Sequence, residues 1–334
     1  MSDASLSYVW AFIVALAVFA YIVMDGFDLG IGILFPLFRG EQRRAMVMNS
    51  IAPVWDGNET WLILGGGGLM AAFPLAYAIL MPALYSPVMF MLLGLIFRGV
   101  AFEFRWRTQR GRAFWDGAFF AGSALAAGMQ GVALGAILQG IRVAGRRYAG
   151  GWWDWLSPFS ALTGVALMAG YASLGASWII MKTEDELQRY AYRLAWYCAL
   201  ALTIGIVAVS LATPFLHTQY YRRWFAWPGI LLSAQVPLLV LIAVVLLFFA
   251  LKHRWERAPF MLTLGLFALS YIGLGISMFP YLVPESVTIL DASAPASSQR
   301  FMLVGTAVLI PVIIAYTAHA YWVFRGKVGA EGYH

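Results

Sequence analysis

Acidic side chains stand in the most apolar parts of this chain. The segment MDGFDLG carries Asp25 and Asp28, and WDGNETW carries Asp56, Asn58 and Glu59. A third motif, FRGVAFEFR, contributes Arg98 and Glu103. A carboxylate at membrane depth costs a few kcal/mol or more, so such a residue is kept for an ion, a proton or a partner. Desolvation disfavours its charged form, which lets it rest neutral and take up or release a proton when nearby charges or waters move.

Each of these residues also has a plainer reading. Asp25 and Asp28 lie at i, i+3 and share a helix face, while Gly26 and Gly30 form a small-xxx-small pair that lets another helix come close. That combination is a packing motif if both acids are bonded to neighbouring helices. Asp56, beside Gly57, Asn58 and Glu59 and flanked by Trp55 and Trp61, brings more polarity than packing requires, and a proton or ion role fits it best. Arg98 ends an apolar run, where it either snorkels to the headgroups or pairs with an acid such as Glu103. The Gly65–Gly68 run is no phosphate loop, because no Gly-Lys-Ser/Thr follows; close helix packing explains it.

Redox and metal chemistry find little footing. The single cysteine, Cys198, excludes an internal disulfide, an iron–sulfur cluster and a CxxCH haem attachment. Of four histidines, His217 and His253 fall near span ends, His334 is terminal, and His319 alone is inside a span. A bis-histidine haem needs two facing ligands, so His319 reads as a hydrogen-bonded helix residue. HExxH, CxxC, Rossmann and kinase patterns are missing, and the chain is expected to bind no cofactor and no metal of its own.

The elements that must position the acids are membrane helices. Of the 334 residues, 62% are hydrophobic and 11% charged, and the mean hydropathy is +0.76, too little polar surface for a soluble globule of this size. The net charge of +6 does not signal nucleic acid, since the basic residues cluster between apolar runs. Runs of about 20 apolar residues give nine expected spans, near 8–37, 50–72, 76–97, 115–138, 159–181, 194–216, 229–251, 259–283 and 301–324. They form one polytopic membrane domain over 1–334, all-α, with no soluble domain. MSDASLS lacks a basic n-region and the first run is too long for a signal peptide, so no cleavage is expected.

Charge sets the expected orientation. With the N-terminus outside, the outward segments hold Arg142, Arg146, Arg147, Arg222, Arg223 and Arg300, leaving sixteen of the 22 Lys and Arg inside. The C-terminus then lies inside, and the Trp152, Trp153, Trp155 and Tyr220, Tyr221, Trp224, Trp227 clusters fall at the outer interface. Asp25, fourteen residues before Arg39, is about 20 Å above the inner loop at the ~1.5 Å helical rise, and Asp56 on the returning span shares its layer. Glu103 is expected just past the third span, at the inner interface.

The motifs DGFDLGIG, NSIAPVWDGNETWL, FRGVAFEFR and MFPYLVPES, in this order along the whole chain, closely resemble subunit II of cytochrome bd-type quinol oxidases. The length and the FEFR ending resemble the short, cyanide-insensitive branch. The resemblance implies two four-helix bundles plus one additional helix, and a heterodimer with a homologous haem-bearing subunit I in a bacterial inner membrane. It implies that haems b558, b595 and d sit in that partner, and that the holoenzyme oxidises quinol and reduces dioxygen to water. It further implies that Asp25, Asp56 and Glu103 line a proton pathway from the cytoplasm, and that small accessory subunits and a structural quinone or lipid occur in some members. A second reading, from a different class, is a secondary transporter in which Asp25, Asp28 and Asp56 bind a coupling cation or proton. Transporters place broken helices in paired halves, whereas these acids are confined to the first three spans.

Overall fold

The computed structural model describes residues 3–108 and 110–329; His334 lies outside them. Apolar sequence without helix breakers gives α1, Asp3–Leu34, which ends where Pro36 enters a 3-10 turn over Phe35–Leu37. Gly40, at φ +88°, turns the chain into the short α2, Glu41–Asn49. Then follow α3 (Trp55–Ala72), α4 (Pro74–Ala83), α5 (Tyr85–Arg107) and α6 (Arg112–Leu138), the last starting after Gly111 at φ +99°. A two-stranded hairpin, β1 (Val143–Ala144) with β2 (Arg147–Tyr148), leads to α7, Pro158–Lys182, whose first turn is closed by a Ser157–Ser160 capping box. The rest of the chain comprises α8 (Asp185–Ala212), the short α9 (Thr218–Phe225) and α10 (Ile230–Ser233), α11 (Gln235–Lys252), α12 (Ala258–Met278), a second hairpin of β3 (Tyr281–Val283) and β4 (Val287–Thr288), α13 (Ile289–Ala292) and α14 (Ala296–Val323).

Eight helices among the described residues are long and apolar enough to cross a membrane. The span expected over 50–72 is α3, whose opening turns carry Asp56, Asn58 and Glu59 and pull its hydropathy below that of the other eight. The span expected over 76–97 requires correction. The helix breaks at Leu84, and α5 runs on to Arg107, so FRGVAFEFR is helical rather than a loop. Pro74 and Pro87 favour new first turns, and Arg98, Ala101, Phe102 and Arg105 continue a buried face at i, i+3, i+4, i+7 past the end of the apolar run. The span expected over 229–251 is likewise divided, into α10 and α11.

Helix α1 is central and packs on α3, α6 and α7; α5 packs on α6, and α7 continues to α8 and α12, with α11 against both of these. The α1–α7 approach is backbone to backbone. A Cβ on Gly30 would stand 1.7 Å from the Tyr171 carbonyl oxygen, and one on Gly175 would stand 2.6 Å from the Gly30 carbonyl carbon. Helix α14, most of whose surface is exposed, lies on α1 and α3 and is fastened at both ends. At one end Trp10 Nε1 donates to the Gln299 carbonyl (3.1 Å), and Ala294 N to the Ala72 carbonyl (2.9 Å). At the other, the buried Lys182 ammonium donates to the carbonyls of Phe324 and Gly326, and Lys327 pairs with Glu256 (2.9 Å).

Beside the α1–α2 turn, Arg105, 1% exposed, donates from Nε to Asp116 (2.6 Å) and from Nη2 to Glu41 (2.9 Å), while Arg44 holds the other Asp116 oxygen (2.7 Å). This ion network joins α2, α5 and α6 and fixes the helix ends below the acids.

Candidate functional site

Three helices deliver charge to one place inside the bundle. From α1, Asp25 (0% exposed) accepts from Arg98 Nη1 at 2.5 Å; Arg98 (2% exposed), on α5, gives its Nη2 to Glu59 of α3. The planar guanidinium suits this, because its two terminal nitrogens serve two carboxylates at fixed angles. The Trp55 ring lies 5.9 Å from the guanidinium carbon and closes one side. A buried arginine with two acids is stable only while every partner is present, so α1, α3 and α5 are locked together here.

One turn further along α1, Asp28 (0% exposed) is held by a neutral neighbour. Asn58 Nδ2 donates to Asp28 Oδ2 (2.7 Å) and to the Met24 carbonyl (3.1 Å), and the Tyr321 hydroxyl of α14 donates to Asn58 Oδ1 (2.9 Å). On the other side, Gln130 links the hydroxyls of Tyr21 (2.9 Å) and Tyr171 (2.7 Å); Tyr21 stands four residues before Asp25 on α1. Among the described residues, Asp25 Oδ2 and Asp28 Oδ1 are fully buried without a hydrogen-bond partner, as are Arg98 Nε and Trp61 Nε1. Two acids thus hold one guanidinium, a third stands one turn away on α1, and Asp25 and Asp28 each keep an oxygen free.

The structure therefore gathers Asp25, Asp28, Asn58, Glu59 and Arg98, and sets Gly26 and Gly30 against Tyr171 in the α1–α7 seam. Asp56 and Glu103 are not in this cluster. Both are exposed on the surface of the chain, Asp56 on α3 and Glu103 on α5. The pairing of Arg98 with Glu103 is replaced by pairing with Asp25 and Glu59, because α5 continues as helix and turns Glu103 outward. Sequence reasoning missed Tyr321, Tyr21 and Gln130. Tyr21 alone carried a signal, its i, i+4 spacing to Asp25.

The histidines are scattered. His217 pairs with Glu285 (3.2 Å), His253 Nδ1 contacts the Phe249 carbonyl (2.9 Å), and His319, expected to be hydrogen-bonded, is exposed and rests against the Trp322 ring. His319 sits on an outward-facing strip of α14, where no hydrogen bond reaches it among the described residues.

Residues 6–324 match the family model described as cytochrome bd terminal oxidase subunit II. The chain is 31% identical to "Cytochrome bd-I ubiquinol oxidase subunit 2" of Escherichia coli (strain K12), over 98% of its length and 96% of the relative's. It is 28% identical to "Cytochrome bd ubiquinol oxidase subunit 2" of Bacillus subtilis (strain 168), over 97% of both. The solved structure titled "The structure of bd oxidase from Geobacillus thermodenitrificans" shares the fold at a TM-score of 0.78 and 17% identity, over 96% of this chain and 98% of that one. The transporter reading finds no support in these likenesses. A family match over nearly the whole length, on a helical membrane fold with a buried acid–arginine cluster, leads to one conclusion: the chain belongs to the cytochrome bd terminal oxidase subunit II family.

Proposed function

We propose that this chain is the haem-free, proton-carrying half of its oxidase, with Asp25, Asp56 and Glu103 as proton groups and Asp28, Asn58, Glu59 and Arg98 as their supports. The family makes it a multi-pass protein of the bacterial inner membrane and a subunit of a terminal quinol oxidase complex that contains haem and a partner subunit I. Haem in the complex supplies the oxygen-reducing chemistry. His217, His253 and His319, each engaged with a different neighbour, do not fit a facing axial pair. Haems b558, b595 and d are accordingly assigned to subunit I.

The observation that carries the proton role is the imbalance of the buried cluster. Arg98 offsets one charge, Asp25 and Glu59 pair with it while Asp28 stands one turn along α1, and the free oxygens of Asp25 and Asp28 are places for a proton. Asp56 and Glu103 extend the path outward over a face otherwise made of exposed apolar side chains, Ile63 and Met70 on α3 and Leu93, Ile96 and Val100 on α5. Acids on an apolar membrane face favour a protein cover over lipid, and subunit I is the partner this face suits. With the N-terminus outside, as the charge distribution favours, protons enter from the cytoplasm.

The test uses the assembled complex. Asp25→Asn and Asp56→Asn each keep size and lose the exchangeable proton, so quinol oxidase turnover is expected to fall about tenfold or more with haem content retained. Asp56→Glu should recover part of the rate. Wild-type turnover in both Asn variants, with full haem, would refute the proton role.

A further inference from the structure

We propose that Tyr321 is a positioning residue of the proton route: through Asn58 it fixes Asp28 so that Oδ1 alone is left to carry a proton. The inference rests on the reading that the buried acids carry protons, and adds a residue from the far end of the chain and an atom-level assignment.

The amide of Asn58 is enclosed, the residue being 1% exposed. Its nitrogen lies 3.1 Å from the Met24 carbonyl, which has only lone pairs to offer, so the NH2 must point there and Oδ1 must point away. Oδ1 faces the Tyr321 hydroxyl at 2.9 Å, so that hydroxyl donates. The second amide hydrogen then goes to Asp28 Oδ2 at 2.7 Å. Oδ2 is consequently an acceptor in this arrangement, and a proton on Asp28 belongs on Oδ1, the oxygen that is fully buried and has no partner.

Asp25 shows the same pattern from the other side. Its Oδ1 is taken by Arg98, and its Oδ2 is buried and free. Residues three apart on a helix have Cβ atoms about 5–6 Å apart, a span that one intervening water bridges for proton transfer. A proton leaving Asp25 Oδ2 for Asp28 Oδ1 leaves behind a carboxylate that the guanidinium already faces, with no bond other than O–H formed or broken.

Tyr321 is placed for this work by packing. Its ring meets Phe27 edge-on at 6.4 Å and Trp178 edge-on at 6.2 Å, and Phe27 stacks on Trp178 at 4.3 Å. Lys182 rests 4.9 Å from the Trp178 ring and caps the end of α14 three residues beyond Tyr321. The hydroxyl is thereby held against Asn58 by aromatic contacts on the rest of the ring. Without that donor, the Met24 carbonyl is what remains to orient the Asn58 amide, and a rotation that turned its oxygen to Asp28 would make Asp28 the donor and free its carbonyl.

The experiment is redox-difference infrared spectroscopy with turnover, on the assembled, haem-loaded complex. Asp28→Asn should remove a carbonyl-stretch band of a protonated carboxyl. Tyr321→Phe, which deletes one oxygen, should move that band to higher wavenumber, since its C=O loses a donor, and slow turnover about fivefold, the factor one ordinary hydrogen bond is worth. Fluorotyrosine at 321, a stronger donor, should move the band the opposite way, and decides the matter if the Phe variant does not assemble. A Tyr321→Phe complex with an unmoved band overturns the proposal whether or not its rate falls, and so does an Asp28→Asn complex that loses no band. Asp25→Asn is measured alongside. If it and Asp56→Asn both turn over normally, the proton reading itself fails; if Asp25→Asn is slow while the Tyr321→Phe band is unmoved, the positioning role fails alone.

Discussion

Gly30→Ala adds one methyl group at the tightest contact in the seam between α1 and α7. The new Cβ would lie 1.7 Å from the Tyr171 carbonyl oxygen, 2.5 Å from its carbonyl carbon and 3.0 Å from Gly175 N. These are backbone atoms, and no rotamer change relieves them. Restoring an ordinary separation of about 3.3 Å requires the helices to part by about 1.5 Å, and gaps of 0.5–1 Å already forfeit a quarter to a half of each dispersion contact. The loss reaches the buried neighbours Leu29, Ile31 and Leu174, so the cost belongs at the upper end of the overpacking range, about 3 kcal/mol. Gly26→Ala meets side chains rather than backbone, the Tyr171 ring at 2.6 Å and Leu174 Cδ1 at 3.4 Å, which can shift at smaller cost. Gly265→Ala on α12 meets nothing within 4 Å and gains helix propensity. The yield of intact complex, measured by size-exclusion chromatography with haem absorbance, should therefore rank Gly30→Ala below Gly26→Ala, and Gly26→Ala below Gly265→Ala. Specific turnover of what does assemble should change less than the yield. A Gly30→Ala complex formed at wild-type yield, or one formed normally but turning over slowly, would refute the packing argument and make the seam part of the route.

Arg98→Met strands the fully buried Asp25 without its countercharge, a loss of about 3–5 kcal/mol, so assembled yield should collapse and the double variant Asp25→Asn, Arg98→Met should partly restore it; no restoration would mean that the pair is not coupled. Arg98→Lys keeps the charge but not the two-pronged reach to Asp25 and Glu59, and should assemble with slowed turnover. For orientation, single cysteines in a Cys198→Ser background should label from the cytoplasm in 39–49 and 252–258 and from outside in 139–158, the reverse pattern inverting the chain. Hydrogen bonds from Lys327 and Gln188 hold the Glu256 carboxyl below its ordinary range. Its contribution is complete above the unfolded value near ~4.3 and is lost as pH falls through the lowered one. The 324–328 tail should therefore gain hydrogen exchange below about pH 4, and a tail protected at about pH 3 would show that the ion pair does not hold it.

Apolar run length made most helices legible, because lipid tolerates only satisfied backbone. Run length failed at 76–97, where Pro87 and Leu84 decide the break and where polar Arg98 and Arg105 belong to a buried helix face. Residue type exposed the acids, since Asp25 and Asp28 have no place in a lipid-facing span. Their partners were less readable. Asn58 and Asp56 stand two positions apart, about 200° around the helix, so one points into the bundle and the other out. No local pattern shows that Arg98 reaches back to Glu59, or that Tyr321 lies against a residue 263 positions earlier. Such pairings are products of tertiary packing, which leaves no period in the chain.

The attachment of α14 also bears on how the chain is made. Synthesis and membrane insertion proceed from the N-terminus, and α14 leaves the ribosome after the other described spans. Asn58, Trp10 and the Ala72 carbonyl are inserted early, yet each completes its hydrogen bonding only with Tyr321, Gln299 or Ala294. A nascent or truncated chain lacking this helix therefore holds an open amide beside two buried acids, and a fissure along α1 and α3. These three groups gain their partners in a single late event, which gives membrane quality control a chemical means of telling subunits with α14 docked from those without it.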